Sequence, residues 1–216
     1  MYIDFHIHTK YSFDAFLEPK TLVKQALKRG LSAIAVTDHN TVRGSLVTIS
    51  EAKMVRDLVI IPGVEVKTDV GDVIGLYVQD EVKAKDFITV VEKIRRQGGL
   101  VVLPHPYRGH KGITEKLAAY VDVIEVLNAR DSRHNNLKAL ALAKNLGKPS
   151  ICCSDAHFSF EIGRMKTKFH LGTSSLEELR EFILKGDREF VGKESEFIVH
   201  GLTFATEIIK RMVRAY

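Results

Sequence analysis

Residues 2–15 read YIDFHIHTKYSFDA. Apolar and β-prone residues lead into His6-Ile7-His8, and Asp14 follows six positions later. On a β-strand, residues i and i+2 face the same side. His6 and His8 therefore aim two imidazoles at one point, which is a metal-ligand arrangement. A strand with two surface histidines between Phe5 and Ile7 would read the same over these few residues, so the rest of the chain must separate the two.

Outward from this stretch, apolar runs alternate with amphipathic ones. Strands are expected at 1–7, 31–37, 57–66, 72–78, 99–104, 121–127 and 149–154. Helices are expected at 18–30, 45–56, 85–99, 112–120, 132–148, 175–186 and 203–215. Pro19 early in the first helix and Gly30 at its end are residues that helix termini favour. Alternating strands and helices imply parallel strands joined by crossover helices. The strands are continuous apolar runs, as when both faces are covered. Seven such units predict an α/β fold, a closed or nearly closed βα barrel, with an open doubly wound sheet as the alternative. No glycine-rich phosphate loop follows any strand, which counts against a nucleotide-binding doubly wound fold.

At 216 residues the chain suits a single domain, 1–216, with a sizeable core. No apolar run approaches the ~20 residues that span a bilayer. The residues around Asp4 lack the basic and apolar regions of a signal peptide, so a cytoplasmic protein with no membrane partner is expected. The net charge of +5 mildly favours anionic partners. The only cysteines, Cys152 and Cys153, are neighbours; on a strand they face opposite ways, so they read as small apolar residues rather than a disulfide.

The polar residues fall at one kind of place. The first strand ends in His6 and His8, the second in Asp38 and His39, and the third in Glu65. The fifth is followed by His105 and Arg108, the sixth ends in Glu125, Asn128 and Arg130, and the seventh in Asp155 and His157. In a βα barrel the strand C-termini share one rim, where active sites are built. Histidines that merely satisfied a core would not all fall at that point of the unit, so the set reads as a metal site.

The ordered motifs DFHIHTKYSFD, TDHN, PGVE, PHPYR and SDAH resemble those of the PHP (polymerase and histidinol phosphatase) domain, from Tyr2 to about Gly163. The resemblance implies a distorted (β/α)7 barrel with its motif-bearing core over 2–163, followed by C-terminal helices within 175–216. It also implies two or three clustered divalent metal ions and phosphoesterase activity. His6, His8, Glu65 and Asp155 would hold one metal, and Asp14, His39 and His157 a second. A third would use Glu65, His105 and a histidine on the next strand, where this chain has Ile74; that departure sets the third site apart from the other two. Asp14 and TDHNTVRGSL resemble the branch that includes nucleotide and oligonucleotide phosphatases more than the histidinol phosphatases.

Mixed imidazole and carboxylate ligands suit Mn, Zn or Fe. A water between two such ions loses its proton near neutral pH, so no seryl or cysteinyl nucleophile is required. The expected partner is a phosphorylated metabolite, a nucleotide or a short oligonucleotide. Arg108 and Arg130, with Asn128 beside them, are candidates to bind its phosphate through a bidentate fork. Asp38 is a candidate to orient His39 or a neighbouring loop, and Lys10 and Arg43 are candidates for the mouth. His110, His134, His170 and His200 read as surface or structural, with His110 nearest to an exception. The alternatives are a histidinol-phosphatase-like phosphomonoesterase, a non-catalytic barrel that binds RNA or protein, and a C–N hydrolase of the amidohydrolase type.

Overall fold

Each barrel strand is an apolar run whose successive side chains serve two different cores. The computed structural model describes residues 1–110, 114–173, 175–196 and 198–214. In chain order the elements are β1 (Tyr2–Ile7), α1 (Pro19–Lys28), β2 (Ala33–Val36), α2 (Arg43–Glu51), β3 (Val59–Lys67), β4 (Asp72–Leu76), α3 (Phe87–Arg96), β5 (Leu100–Leu103), α4 (Thr114–Ala118), β6 (Val123–Asn128), α5 (Arg133–Leu146), β7 (Ser150–Cys153), β8 (Met165–Phe169), α6 (Leu176–Lys185), β9 (Arg188–Gly192) and α7 (Ile198–Arg214). The expected seven strands and seven helices are all found. The first two residues of the expected helix at 112–120, and residue 215 of the last, lie outside the described residues.

Phe5, Ala35, Ile61, Leu76, Val102 and Val123 come from six strands and pack together as the barrel interior. The alternate set faces outward: Val64, Val101 and Ile124 toward α3 and α5, and Ile34 and Val36 toward α1. The helices present stripes to match. Pro19, Leu22, Val23 and Ala26 are the buried residues of α1, spaced i, i+3, i+4, i+7. In α3 the stripe is Phe87, Val90, Val91 and Ile94, and Asp86 caps its start by accepting the Thr89 N–H at 2.8 Å.

The strands form one nine-stranded sheet in the order β7-β6-β5-β4-β3-β2-β1-β8-β9. Two features depart from the expectation of parallel strands alone. First, β4 runs antiparallel to both β3 and β5. Only residues 68–71 join β3 to β4, too few for a crossover helix. Second, β8 and β9 extend the sheet, β8 antiparallel to β1 and β9 antiparallel to β8.

The barrel is nearly closed where β8 lies between β1 and β7. Ile7 bridges to Ala156, with the His8 N–H donating to the Ala156 carbonyl at 2.8 Å. The buried Asp4 carboxylate accepts the Ser154 N–H (3.0 Å), the Ser154 hydroxyl (2.5 Å) and the Gly163 N–H (2.8 Å). Thr167 on β8 reaches β7 through its hydroxyl, which accepts the Cys152 N–H at 2.8 Å. Cys152 and Cys153 are both buried and free.

Candidate metal centre

Five histidines and three carboxylates meet at the rim. The pairing of β1 with β2 shifts register between Asp4 and Ile7, and His6 and His8 end on the same side with ring centroids 5.0 Å apart. His39 follows β2 and Glu65 lies in β3, the two joined by an isolated parallel bridge. His105 follows β5 and Asp155 follows β7, both on left-handed backbone (φ 27° and 53°). Asp14 comes from the loop between β1 and α1, and His157 follows two residues after Asp155.

The ligand atoms fall into overlapping groups, each within 4.8 Å: His8, Asp14, His39 and His157; His6, His8 and Asp155; His6, Glu65 and His105. Glu65 sits at the centre. Its Oε2 is 3.4 Å from both His6 Nε2 and His8 Nε2 and 3.1 Å from His39 Nδ1, while its Oε1 is 3.1 Å from His105 Nε2. Asp14 Oδ2 lies 3.0 Å from His157 Nε2 and 3.4 Å from His39 Nε2. Asp155 Oδ1 lies 3.5 Å from His6 Nε2 and 3.3 Å from His8 Nε2.

The outer ring nitrogens reveal what the inner ones need. His6 Nδ1 meets Glu125 Oε1 at 3.1 Å, and His8 Nδ1 meets the Ser12 hydroxyl at 3.0 Å. His105 Nδ1 meets the Arg108 carbonyl at 3.3 Å, and His157 Nδ1 the Asp155 carbonyl at 2.9 Å. Each Nδ1–H has an acceptor, so four Nε2 lone pairs point inward. They face carboxylate oxygens, and the His6 and His8 Nε2 atoms face each other at 3.0 Å. With the Nδ1 atoms protonated, lone pairs turn on lone pairs, an arrangement that a cation between them would satisfy. Asp14 Oδ1 is buried without a hydrogen-bond partner, an orphaned oxygen that suits a cation. The donor set thus fits divalent metal.

The electrostatics agree. Burial raises the cost of charge on Glu65, yet His39, His6 and His105 hold its carboxyl well below the usual range. Asp155 is likewise buried and held well below by His6, Arg108 and His8. Burial opposes charge on His39, but Glu65 and Asp14 bring it up to about 9. His8 is pushed down to about 3 by burial and by His157 and His39.

A cavity of about 290 Å³ opens on the cluster. Arg108 lines it and donates to Asp155 Oδ2 at 2.5 Å. Arg130 also lines the wall, but its guanidinium is taken up by Glu161 (2.8 and 3.3 Å), the Val199 carbonyl and the Thr203 hydroxyl. Asn128 stands behind the candidate ligands, donating to Glu125 Oε2 at 3.0 Å and Asp155 Oδ2 at 3.3 Å. Asp38 holds the loop after β1 by accepting the Thr9 N–H and hydroxyl, each at 2.6 Å. Lys10 pairs with Glu18 and is not part of the cavity wall, and neither is Arg43. Ile74 lies directly across the ladder from Glu65 and packs in the barrel interior.

Several residues of the cavity were not singled out from the sequence. Phe13 stacks on His39, centroids 4.9 Å apart. Lys67, Asp72, His200 and Thr203 line the cavity. His200, which read as surface or structural, is brought there by α7, beyond every motif. Only Asp72 had a cue, because side chains two apart on a strand share a face, here with Ile74.

The sequence matches the PHP domain over residues 4–185. The chain belongs to the PHP domain family. Two proteins of Methanocaldococcus jannaschii, each described as uncharacterized, are similar to this PHP chain. One is 36% identical over 167 residues, covering 70% of this chain and 97% of its own. The other is 32% identical over 180 residues, covering 78% and 70%. The crystal structure of a two-domain protein from Bacteroides vulgatus, described as containing a predicted PHP-like metal-dependent phosphoesterase, shares the fold with a TM-score of 0.76 at 19% identity. The match covers 95% of this chain and 69% of that one.

Proposed function

We propose that this PHP protein is a metal-dependent phosphoesterase that hydrolyses the phosphoric ester of a small phosphorylated metabolite, a nucleotide or a short oligonucleotide. The carrying observation is the convergence of five imidazoles with Glu65, Asp14 and Asp155, their ligand atoms in overlapping groups each within 4.8 Å. His6, His8, Glu65 and Asp155 would hold one divalent ion, and Asp14, His39 and His157 a second, with manganese, zinc and iron all suited to such ligands. Bound there, the ions supply charge to neutralise phosphate oxygens and lower the pKa of water toward neutrality.

The chain's own residues do the rest. Glu125 and Ser12 fix the tautomers of His6 and His8, so the lone pairs stay inward. Arg108 stands at the mouth with about a third of its side chain exposed, and its fork suits a phosphate that arrives beside Asp155. Asn128 holds Asp155 from behind. Phe13 shields the His39 ring. The complete ligand set speaks against a non-catalytic barrel.

The test pairs elemental mass spectrometry of the purified protein with phosphate release from a panel of phosphomonoesters, with and without added manganese. Two or more metals per chain and manganese-dependent release are expected. A protein that holds no metal and releases no phosphate after reconstitution would sink the reading.

A further inference from the structure

The C-terminal helix α7 lies beyond the family match, which ends at residue 185, and carries none of the eight candidate ligands. It is nevertheless tied to the centre at both ends. Near its C-terminus, Lys210 Nζ donates to the carbonyls of Lys10 (2.7 Å), Ser12 (2.6 Å) and Ala15 (2.5 Å). An ammonium has three N–H donors, and these three carbonyls belong to a single loop. The same ammonium lies over the Phe16 ring, 5.1 Å from its centroid. That loop presents Asp14 to His157 and His39.

Near the start of α7, Arg130 donates to the Val199 carbonyl at 3.3 Å and the Thr203 hydroxyl at 2.6 Å. The same guanidinium pairs with Glu161. Glu161 Oε2 in turn accepts the backbone N–H of His157 at 3.0 Å and of Phe158 at 3.2 Å. One end of α7 therefore bears on Asp14 and the other on His157, which touch each other at 3.0 Å. From Val199 to Lys210 the helix runs roughly 16 Å at its usual rise, and between those points His200 and Thr203 form cavity wall.

We propose that α7 is a latch for the Asp14–His39–His157 ligand group, with Lys210 the positioning residue for Asp14. The proposal rests on the reading of the cluster as a metal centre. His6, His8 and Glu65 stand on or beside barrel strands that α7 does not hold. Asp14 stands on a loop, and a loop is only as well placed as the contacts that fix it. Without the ammonium, three loop carbonyls pass to water, the Asp14 carboxylate loses its fixed position, and the second ion loses a ligand while the first keeps its own.

The test titrates manganese into chelator-treated full-length chain and follows binding by calorimetry and the coupled two-ion signal by electron paramagnetic resonance. The proteins compared are the parent, Lys210→Met, Lys210→Arg and Thr203→Val. The parent is expected to bind two ions. Lys210→Met should bind the first with the parent's affinity and the second about tenfold or more weakly, the scale of lost supporting contacts at metal sites, with the coupled signal reduced to match. Lys210→Arg should recover part of the second affinity, because a guanidinium reaches carbonyls too. Thr203→Val, which loosens the opposite end, should weaken the second ion alone. Two ions bound by Lys210→Met at parental affinity, or both weakened alike, would overturn the latch. A parent chain that binds fewer than two ions would overturn the metal-centre reading itself, an outcome visible before any variant is made.

Discussion

His105 and Asp155 show how single residues build this site. Both sit on left-handed backbone just past a strand, a conformation that costs of order 1–3 kcal/mol and is least unfavourable for Asn, Asp and His. The turn brings the side chain over the rim. Glu65 meets four of the five histidines, with both oxygens engaged. Glu65→Gln is expected to lose at least one equivalent of metal and most activity, because an amide presents only one acceptor oxygen to positions that two now serve; elemental analysis with phosphate release checks it. Gly44 makes a different prediction. In the first turn of α2, alanine would ordinarily be better than glycine by about 1 kcal/mol. Here an added Cβ would lie 1.7 Å from Asp38 Oδ2 and 2.4 Å from Thr9 Oγ1. Gly44→Ala should therefore destabilise by roughly 2 kcal/mol and lower Tm by about 4–8 °C, read by calorimetry. Seven of the eight residues that meet at the rim lie at or just past strand ends, which the sequence marks by where apolar runs stop; Asp14, on a loop, was legible only through its motif. The partners of Arg130 and Asn128 could not, because an arginine beside a site looks the same whether its fork faces substrate or a buried glutamate.

At the scale of elements, β4 carries the main surprise. A five-residue apolar strand bears no mark of its direction. The mark lay in the connection: four residues, 68–71, cannot hold a crossover helix. β8 was hidden for another reason. MKTKF alternates buried and half-exposed residues, so it lacks the continuous apolar run that reveals the inner strands. Where β4 meets α3 the packing is close, and a Cβ on Gly75 would come within 2.8 Å of Ile94. Gly75→Ala should cost about 1–3 kcal/mol, and adding Ile94→Val should return part of that loss in a double-mutant cycle read by urea denaturation. Additive losses would refute the contact as the cause. Asp4 gives the prediction for barrel closure. Asp4→Ala would leave the donors of Ser154 and Gly163 buried without their shared acceptor, at a cost of roughly 3 kcal/mol. A loss below about 1 kcal/mol in the same assay would mean that closure does not depend on it.

For the whole molecule, the proposed metal centre would link stability to metal. Ions that bind the folded chain and not the unfolded one stabilise it by mass action. Chelation is expected to lower Tm by several degrees, and manganese to restore it in the parent but less in Glu65→Gln. A melting temperature indifferent to chelator would argue that the ions are absent or weakly held. Among the described residues no helix is long and apolar enough to cross a membrane. The barrel was legible at this scale because strands and helices that mostly alternate along the chain leave few arrangements. The part played by α7 was not, because an amphipathic helix does not announce which surface it will cover.

The pairing of β1 with β8 has a consequence for how the molecule comes into being. Tyr2 pairs with Lys168 and Ile3 with Thr167, contacts that bridge most of the chain. During synthesis β1 emerges long before β8 and must wait with one edge bare until β8 has followed it out, and contacts so distant in sequence are slow to form. Through that interval its histidines have neither Asp155 nor His157 beside them. The rim cluster is thus among the last things the nascent chain can assemble, and a product of translation truncated before β8 would carry the His6–His8 motif without the residues that meet it at the rim.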